Sequence, residues 1–278
     1  MTHTHPNTVD LNSPDLVSAY DEIPLWSAPF GLLLLDKVDM KPGMTVLDIG
    51  CGTGFPLLEL AQRLGATSRI YGIDPWSAAL DRVRSKVHQR DIHNVQLFNE
   101  DAEHMSFADG MFDLVVSNVG INNVSDPEAV LKKCFVACKQ GAQLVVTVNL
   151  PDTMKMFYDA FEGVLHDLGK DDDIMTLRGH IHEKRKSLEE ITLMIEGAGF
   201  TISEIAEDSF RMKFLNGTSL FGHSFIRIAF MESWRNILKA EDRDGVLRIL
   251  EQRLNDIASR EAGLNLAIPY ACIIARKA

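Results

Sequence analysis

The sequence is short of positive charge. Its 278 residues carry 28 Lys and Arg against 39 Asp and Glu, a formal net charge of −11. Such a chain lacks the basic face that displaces counterions from nucleic acid, so a non-specific nucleic-acid partner is not expected. Cysteine is scarce: four in the whole chain do not make a disulfide framework, and a reducing cytoplasm is the expectation. Cys134 and Cys138 sit four apart, as on one helical face, but no second Cys/His pair lies nearby. They read as small core residues, and no metal is expected. Long apolar runs are also missing. The densest, Phe30 to Leu35, is far too short to cross a bilayer and soon meets Asp36 and Lys37. The N-terminal MTHTHPNTVDLNSPD has no basic start followed by an apolar stretch, so a signal peptide is not expected, and His3 and His5 are assigned no role. No internal repeat or low-complexity tract is present. What remains, at 46% hydrophobic and 24% charged, is an ordinary globular chain that can bury a full core without disulfide or metal staples.

The first forty residues are punctuated by Pro6, Pro14, Pro24 and Pro29, with a short helical pattern around Leu16 to Asp21. They read as a helical capping segment. From Met44 a rhythm sets in. The apolar run Thr45 to Ile49 leads into Gly50-Cys51-Gly52-Thr53-Gly54, then a helical pattern (Leu57, Leu58, Leu60, Ala61, Leu64) stopped by Gly65. Arg69–Ile73, Val95–Phe98, Phe112–Ser117 and Gln143–Val148 read as further strands. Helices are expected over Trp76–His88 and from Pro127 to about Gly141, the latter opened by a capping box from Ser125 to Glu128. Strands alternating with helices imply a parallel sheet with right-handed crossovers, an α/β fold. Beyond Leu150 the chain turns helical: Met154–Leu168 as a helix, Lys170–Asp173 as a solvated charged turn, Leu188–Ala198 as a helix closed by Gly199. Thr201–Phe214 fits one strand or a bent pair, Gly217 to about Arg260 is helix-rich, and Ile268–Ala275 is a final strand. This organisation suggests one domain: a cap (1–40), a core (41–150), and a remainder (151–278) whose helical segments, about 151–185 and 216–265, cover the sheet. The methionines, Met44 and Met154 among them, read as core filler.

Open parallel sheets bind ligands beyond the carboxyl ends of their strands, where the strand order reverses. The residues just after each strand are therefore the informative ones. Gly50, Gly52 and Gly54 let the backbone turn sharply and approach a ligand with no Cβ in the way. The loop is GxGxG, with Phe55 where a dinucleotide fingerprint has its third glycine, and it lacks the GK[ST] ending of a P-loop. Asp74 ends the second strand, where a carboxylate accepts from both hydroxyls of a ribose; the alternative is a helix cap, since Pro75 follows. The co-occurrence of loop and acid favours ribose. Trp76 either presses against a purine or fills a first helical turn. Asp101 is placed to accept from an adenine amino group while the Ala102 amide donates to a ring nitrogen; the alternative is a solvated turn.

Together VLDIGCGTG (46–54), GIDP (72–75), NEDAEHMSF (99–107) and FDLVVSNVGINNV (112–124) resemble a class I S-adenosylmethionine-dependent methyltransferase, similar to the small-molecule group that includes the ubiquinone and menaquinone enzymes. The resemblance covers about residues 40–150 and, more loosely, IPYACIIARK near the end. It implies a Rossmann-like sheet of seven strands, mostly parallel, with the last antiparallel. It also implies that Asp48 and the backbone of Gly50 to Gly54, Cys51 included, hold the methionine part of the cofactor. Asp74 would hold the ribose and Asp101 with Ala102 the adenine, Pro75 and Trp76 are counted among the cofactor-binding residues, and Asn118 and Val119 would flank the sulfonium. Lys139-Gln140-Gly141-Ala142 departs from the proline and paired glycines of many relatives. No NPPY-type motif follows the fourth strand, which disfavours DNA-base and glutamine acceptors.

The implied reaction is in-line methyl transfer to a small or medium-sized organic acceptor, with S-adenosyl-L-homocysteine as product, in which the protein chiefly aligns the reactants. A general base is needed only for an acceptor that arrives protonated. Candidates are His180 and His182, which alternate as in an extended segment, then His223, Tyr20 and Tyr158. Tyr20, Trp26, Asn122, Asn123 and Tyr158 are the candidate acceptor residues. Two rival readings remain open on sequence alone: an NAD(P)-dependent oxidoreductase on a related sheet, and a module that binds S-adenosylmethionine without catalysis. A monomer and a homodimer are equally compatible with the sequence.

Overall fold

A computed structural model of the chain describes residues 13–22 and 25–278, and for Pro14 and Asp15 the backbone alone. His3, His5 and the start of the expected cap lie outside the described residues. The strands are β1 (Thr45–Ile49), β2 (Arg69–Ile73), β3 (Val95–Phe98), β4 (Phe112–Asn118), β5 (Cys138–Asn149), β6 (Phe200–Phe214) and β7 (Leu264–Lys277). The helices are α1 (Pro14–Asp21), α2 (Ser27–Lys37), α3 (Leu57–Leu64), α4 (Ser77–Gln89), α5 (Pro127–Ala137), α6 (Lys155–Asp167), α7 (Asp171–Lys184) and α8 (Leu188–Gly197). They continue with α9 (Gly217–Gly222), α10 (Ser224–Ala229), α11 (Met231–Asn236) and α12 (Arg243–Glu261).

The chain divides into two compact units. Among the described residues, one joins 25–150, 185–208 and 269–278; the other joins 13–22, 151–184 and 209–268. The strand order is β3-β2-β1-β4-β5-β7-β6, seven strands in one sheet. β1 through β5 pair in parallel, and β7 runs antiparallel to β5. The order reverses between β1 and β4, which both belong to the centre of the sheet.

Side-chain alternation along each strand builds two cores, one per face. Leu47, Ile49, Val115, Leu144, Val146 and Ile273 face α5 and α8 through Val130, Cys134, Ile191 and Ile195. Val46, Leu114, Val116, Val145, Cys272 and Ile274 face α2, α3 and α4 through Leu34, Leu57, Leu60, Leu80 and Val83. All four cysteines are buried and free. Burial pushes the thiols of Cys138 and Cys272 up to about 12 and raises those of Cys51 and Cys134, so none is a ready nucleophile. In the helical unit Phe157 stacks on Trp234 at 4.0 Å, with Phe161 and Phe221 set edge-on to Phe157.

Several boundaries differ from the sequence reading, each for a local reason. Lys170–Asp173 is not a turn: Asp171 to Asp173 form the first turn of α7, where acidic side chains complement the helix dipole. Ser125 and Glu128 make no capping box. Asp126 is the cap, accepting from the Ala129 amide at 2.9 Å, while Glu103 accepts from the Ser125 and Asp126 amides at 2.5 and 2.8 Å. α5 stops at Ala137 instead of near Gly141, so Cys138 starts β5 and is not on one helical face with Cys134. The helix expected from Trp76 starts at Ser77, and β6 is one continuous strand.

Candidate functional site

Ile49, Ile73 and Phe98 stand in register across β1, β2 and β3. The residues that follow them are therefore brought into one row at the carboxyl edge. Gly50 and Cys51 donate backbone hydrogen bonds to Ile73 O at 2.9 and 3.3 Å, and Asp74 donates to Phe98 O at 3.1 Å. The glycines of the first loop differ in purpose. Gly50 has φ +72°, and a Cβ there would lie 2.8 Å from the Cα of Gly120, so the turns after β1 and β4 touch backbone to backbone. Gly52 has φ +50° and nothing within 4 Å of a Cβ placed on it, so this part of the loop borders open space.

Asp74 is the hub of the row. Its Oδ2 accepts from the Gly52 amide and its Oδ1 from the Trp76 amide, each at 2.8 Å. The Asn99 side chain donates to the carbonyls of Asp74 and Pro75, tying in the turn after β3. The helix-cap and ligand readings of Asp74 are compatible, because each carboxylate oxygen keeps acceptor capacity beyond the amide it already takes. Burial raises its pKa, and the two amides partly offset the rise. In the next turn Asp101 Oδ1 accepts from the Glu103 amide at 3.0 Å, and Ala102 is buried. Lys133 clamps that turn by donating to the Glu103 and Met105 carbonyls at 2.5 and 3.3 Å.

Asp48 is the most unusual residue of the edge. It is 0% exposed, and neither carboxylate oxygen has a hydrogen-bond partner of normal geometry. Burial, and then the neighbouring charge of Asp74, push its pKa well above the usual carboxylate value; the Leu57 amide lowers it only in part. An unpaired buried carboxylate in a strand of apolar residues is costly and calls for a partner.

At the tip of β4, Asn118 and Val119 are held tightly. Asn118 donates to Ser27 O at 3.1 Å and accepts from the Thr147 hydroxyl at 2.9 Å. Val119 has φ +61°, a strained conformation for a β-branched residue. Asn122 donates to Asn149 Oδ1, and Asn123 is exposed, its side chain donating to Val119 O at 3.3 Å. Trp26 precedes α2, with its ring 5.7 Å from that of Phe30.

The proposed cofactor residues thus all belong to the sheet unit, as do Trp26, Asn122 and Asn123. Tyr20, Tyr158, His180, His182 and His223 belong to the helical unit. His180 and His182 are in α7, not in an extended segment. Two residues apart on a helix, they point to opposite sides instead of the same one. Tyr158 is buried, its hydroxyl accepting from Trp234 Nε1 at 3.1 Å, and Tyr20 lies 6.3 Å from Phe225, ring to ring. His223 sits between α9 and α10, edge-on to Phe214, with Nδ1 buried and unpartnered. Among the described residues no cluster of three or more His, Cys, Asp or Glu could hold a metal, and no helix is long and apolar enough to cross a membrane.

Three residues to which the sequence reading gave no individual role shape this edge. Gly120 is one: a Cβ on it would lie 2.3 Å from Ile49 O. Ser117 donates to Ile49 O at 3.0 Å and accepts from the Ile121 amide at 2.9 Å. Thr147 holds Asn118. The available signal was a hydroxyl following a run of apolar residues, Ser117 after Leu114–Val116 and Thr147 after Leu144–Val146.

A family model described as a methyltransferase domain matches residues 40–213. The demethylmenaquinone methyltransferase of Listeria welshimeri is 32% identical over 135 residues, which is 47% of this chain and 57% of that protein. The chain therefore aligns with little more than half the length of this curated relative. A SAM-dependent methyltransferase from Aquifex aeolicus superposes with a TM-score of 0.54 at 21% identity, covering 70% of this chain and 92% of the other. A phosphoethanolamine N-methyltransferase 2 of Haemonchus contortus, in complex with S-adenosyl-L-methionine, superposes with a TM-score of 0.58 at 18% identity, covering 98% and 60%. The reversed strand order, the antiparallel β7 and the family match lead to one conclusion: the chain belongs to the methyltransferase-domain family.

Proposed function

We propose that the protein transfers a methyl group from S-adenosylmethionine to a small or medium-sized organic acceptor at the carboxyl edge of its sheet. One observation carries the reading: Asp48 is wholly buried, and neither of its carboxylate oxygens has a hydrogen-bond partner of normal geometry. A ligand with a cationic, multiply donating group would satisfy it, and the methionine ammonium of the cofactor is such a group. The open space beside Gly52 supports the same placement. In this reading Asp48 and the backbone of Gly50, Cys51, Gly52 and Gly54 hold the methionine part. Asp74 holds the ribose, Asp101 and Ala102 the adenine, Pro75 and Trp76 border the nucleoside, and Asn118 and Val119 face the sulfur.

The cofactor supplies an electrophilic methyl on a positively charged sulfur. The protein's part is then alignment, which can be worth about 7–11 kcal/mol of a barrier. The acceptor end is assigned to Trp26, Asn122 and Asn123. The relatives' quinone acceptor is not carried over, because their alignment covers about half of this chain. A hydride-transfer reading has no support in these matches. Four buried free thiols suit a reducing cytoplasm.

Isothermal titration of the folded protein with S-adenosylhomocysteine tests the reading. Saturable binding at one site per chain is expected. Absence of binding by folded protein would overturn the proposal.

A further inference from the structure

We propose that Thr147 is a positioning residue for methyl transfer: its hydroxyl fixes Asn118 and the backbone of Val119 in the arrangement that faces the reacting sulfur. The proposal rests on reading this edge as the cofactor site. It starts from a misfit in β5. Between Leu144 and Val148 every side chain is apolar except Thr147, and Thr147 is 0% exposed. Valine has nearly the same shape, suits a strand equally well, and carries no hydroxyl to desolvate. The hydroxyl must therefore be used.

Its partners show where. Thr147 Oγ1 donates to Asn118 Oδ1 at 2.9 Å and accepts from the Val119 amide at 3.2 Å. The same amide donates to Thr147 O at 3.1 Å. Both side-chain bonds cross to β4, and both land on the two residues at its tip.

Each of those residues needs holding. Val119 occupies the left-handed region at φ +61°, which a β-branched residue leaves unless its surroundings over-determine it. Asn118 has two ways to orient its amide, and Thr147 selects one of them. With Oδ1 taken by the Thr147 hydroxyl, Nδ2 is left to donate to Ser27 O at the start of α2. One hydroxyl thus sets a strained backbone turn and an amide orientation together.

The test compares two ligands that differ only at the reacting centre. S-adenosylmethionine carries the methyl and the sulfonium charge, and S-adenosylhomocysteine carries neither. Thr147→Val is expected to weaken binding of the former by about tenfold, the scale of one net hydrogen bond, and of the latter by less than about twofold. Thr147→Ser keeps the hydroxyl and restores the wild-type ratio of the two affinities. A merely structural role would lower the melting temperature and weaken both ligands alike, leaving the ratio unchanged, and that result would overturn the proposal. Should the valine variant fail to fold, Thr147→Ala removes the same hydroxyl with less bulk and is read in the same way. Wild-type protein that binds neither ligand would instead defeat the cofactor-site reading itself, which separates the two failures.

Discussion

Gly120→Ala separates steric from conformational roles at the carboxyl edge. Gly120 has φ −68° and ψ −42°, an ordinary helical conformation, so alanine costs nothing in backbone preference there. Space is the constraint. The new Cβ would lie 2.3 Å from Ile49 O, 2.9 Å from Ser117 Oγ and 3.1 Å from the Gly50 Cα. Carbon and oxygen in close contact settle at about 3.3–3.6 Å, so the turn after β4 must retreat by about 1 Å. Ile49 cannot yield instead, because it ends a central strand and its carbonyl is already held by Ser117. Overpacking of this kind costs about 1–3 kcal/mol, which at about 2–4 °C per kcal/mol lowers the melting temperature by several degrees. Gly52→Ala is the control with the opposite signature: it meets no atom within 4 Å but must hold φ +50°, at about 1–2 kcal/mol. Thermal melts and S-adenosylhomocysteine titration read both variants. Gly120→Ala should lose stability and affinity together. Gly52→Ala should lose less stability yet bind at least about tenfold more weakly, its methyl standing in the ligand's space. A Gly120→Ala protein that melts and binds like the wild type would refute the argument that the two turns are locked backbone to backbone.

Two further expectations concern the acids. Asp74→Ala removes a carboxylate that accepts from the Gly52 and Trp76 amides, and should weaken S-adenosylhomocysteine binding by about 1–3 kcal/mol, as for a hydrogen-bonded charged group; unchanged affinity in the titration would remove Asp74 from the ribose site. Asp48→Asn should alter how stability depends on pH. Burial raises the Asp48 pKa in the folded chain above its unfolded value, so its favourable contribution is complete below the ordinary carboxylate range and is lost as pH rises through the folded pKa. In melts between pH 4 and 8 the variant should therefore gain on the wild type as pH rises, and a difference independent of pH would contradict the assignment.

How much of this was legible in the sequence depended on whether a residue's role is local. β1, the glycine loop and α3 follow from contiguous residues, and their bounds agree with the apolar pattern within a residue or two. The cap of α5 was misread because its outcome is not local: Glu103, 22 residues away, takes the Ser125 amide, and Asp126 holds Ala129. Asp171 to Asp173 look like a solvated turn until the apolar Ile174 and Leu177, both buried, extend them into a helix. His180 and His182 then follow that helix. Gly120 and Thr147 received no role because each acts on a neighbour brought in by strand order, Gly120 on β1 and Thr147 on β4. No short motif encodes that neighbourhood. It exists only once β4 lies between β1 and β5.

Asp48 breaks the logic of its own strand, and that is the most direct evidence that the edge is built for something other than folding. Thr45, Val46, Leu47 and Ile49 are residues a central strand favours, and a further apolar residue at 48 would suit the interior better than a carboxylate with two unsatisfied oxygens. Asp74 sharpens the conflict, since its charge raises the Asp48 pKa further. Burial and the Asp74 charge oppose ionisation of Asp48 in the free chain, yet its ionised form becomes favourable once a cation is placed beside it. The free protein thus holds an electrostatic cost that either protonation of Asp48 or a positively charged ligand relieves. A dinucleotide would bring negative pyrophosphate to the same loop and add to the repulsion. In the proposed reading the cation is the ammonium of the cofactor.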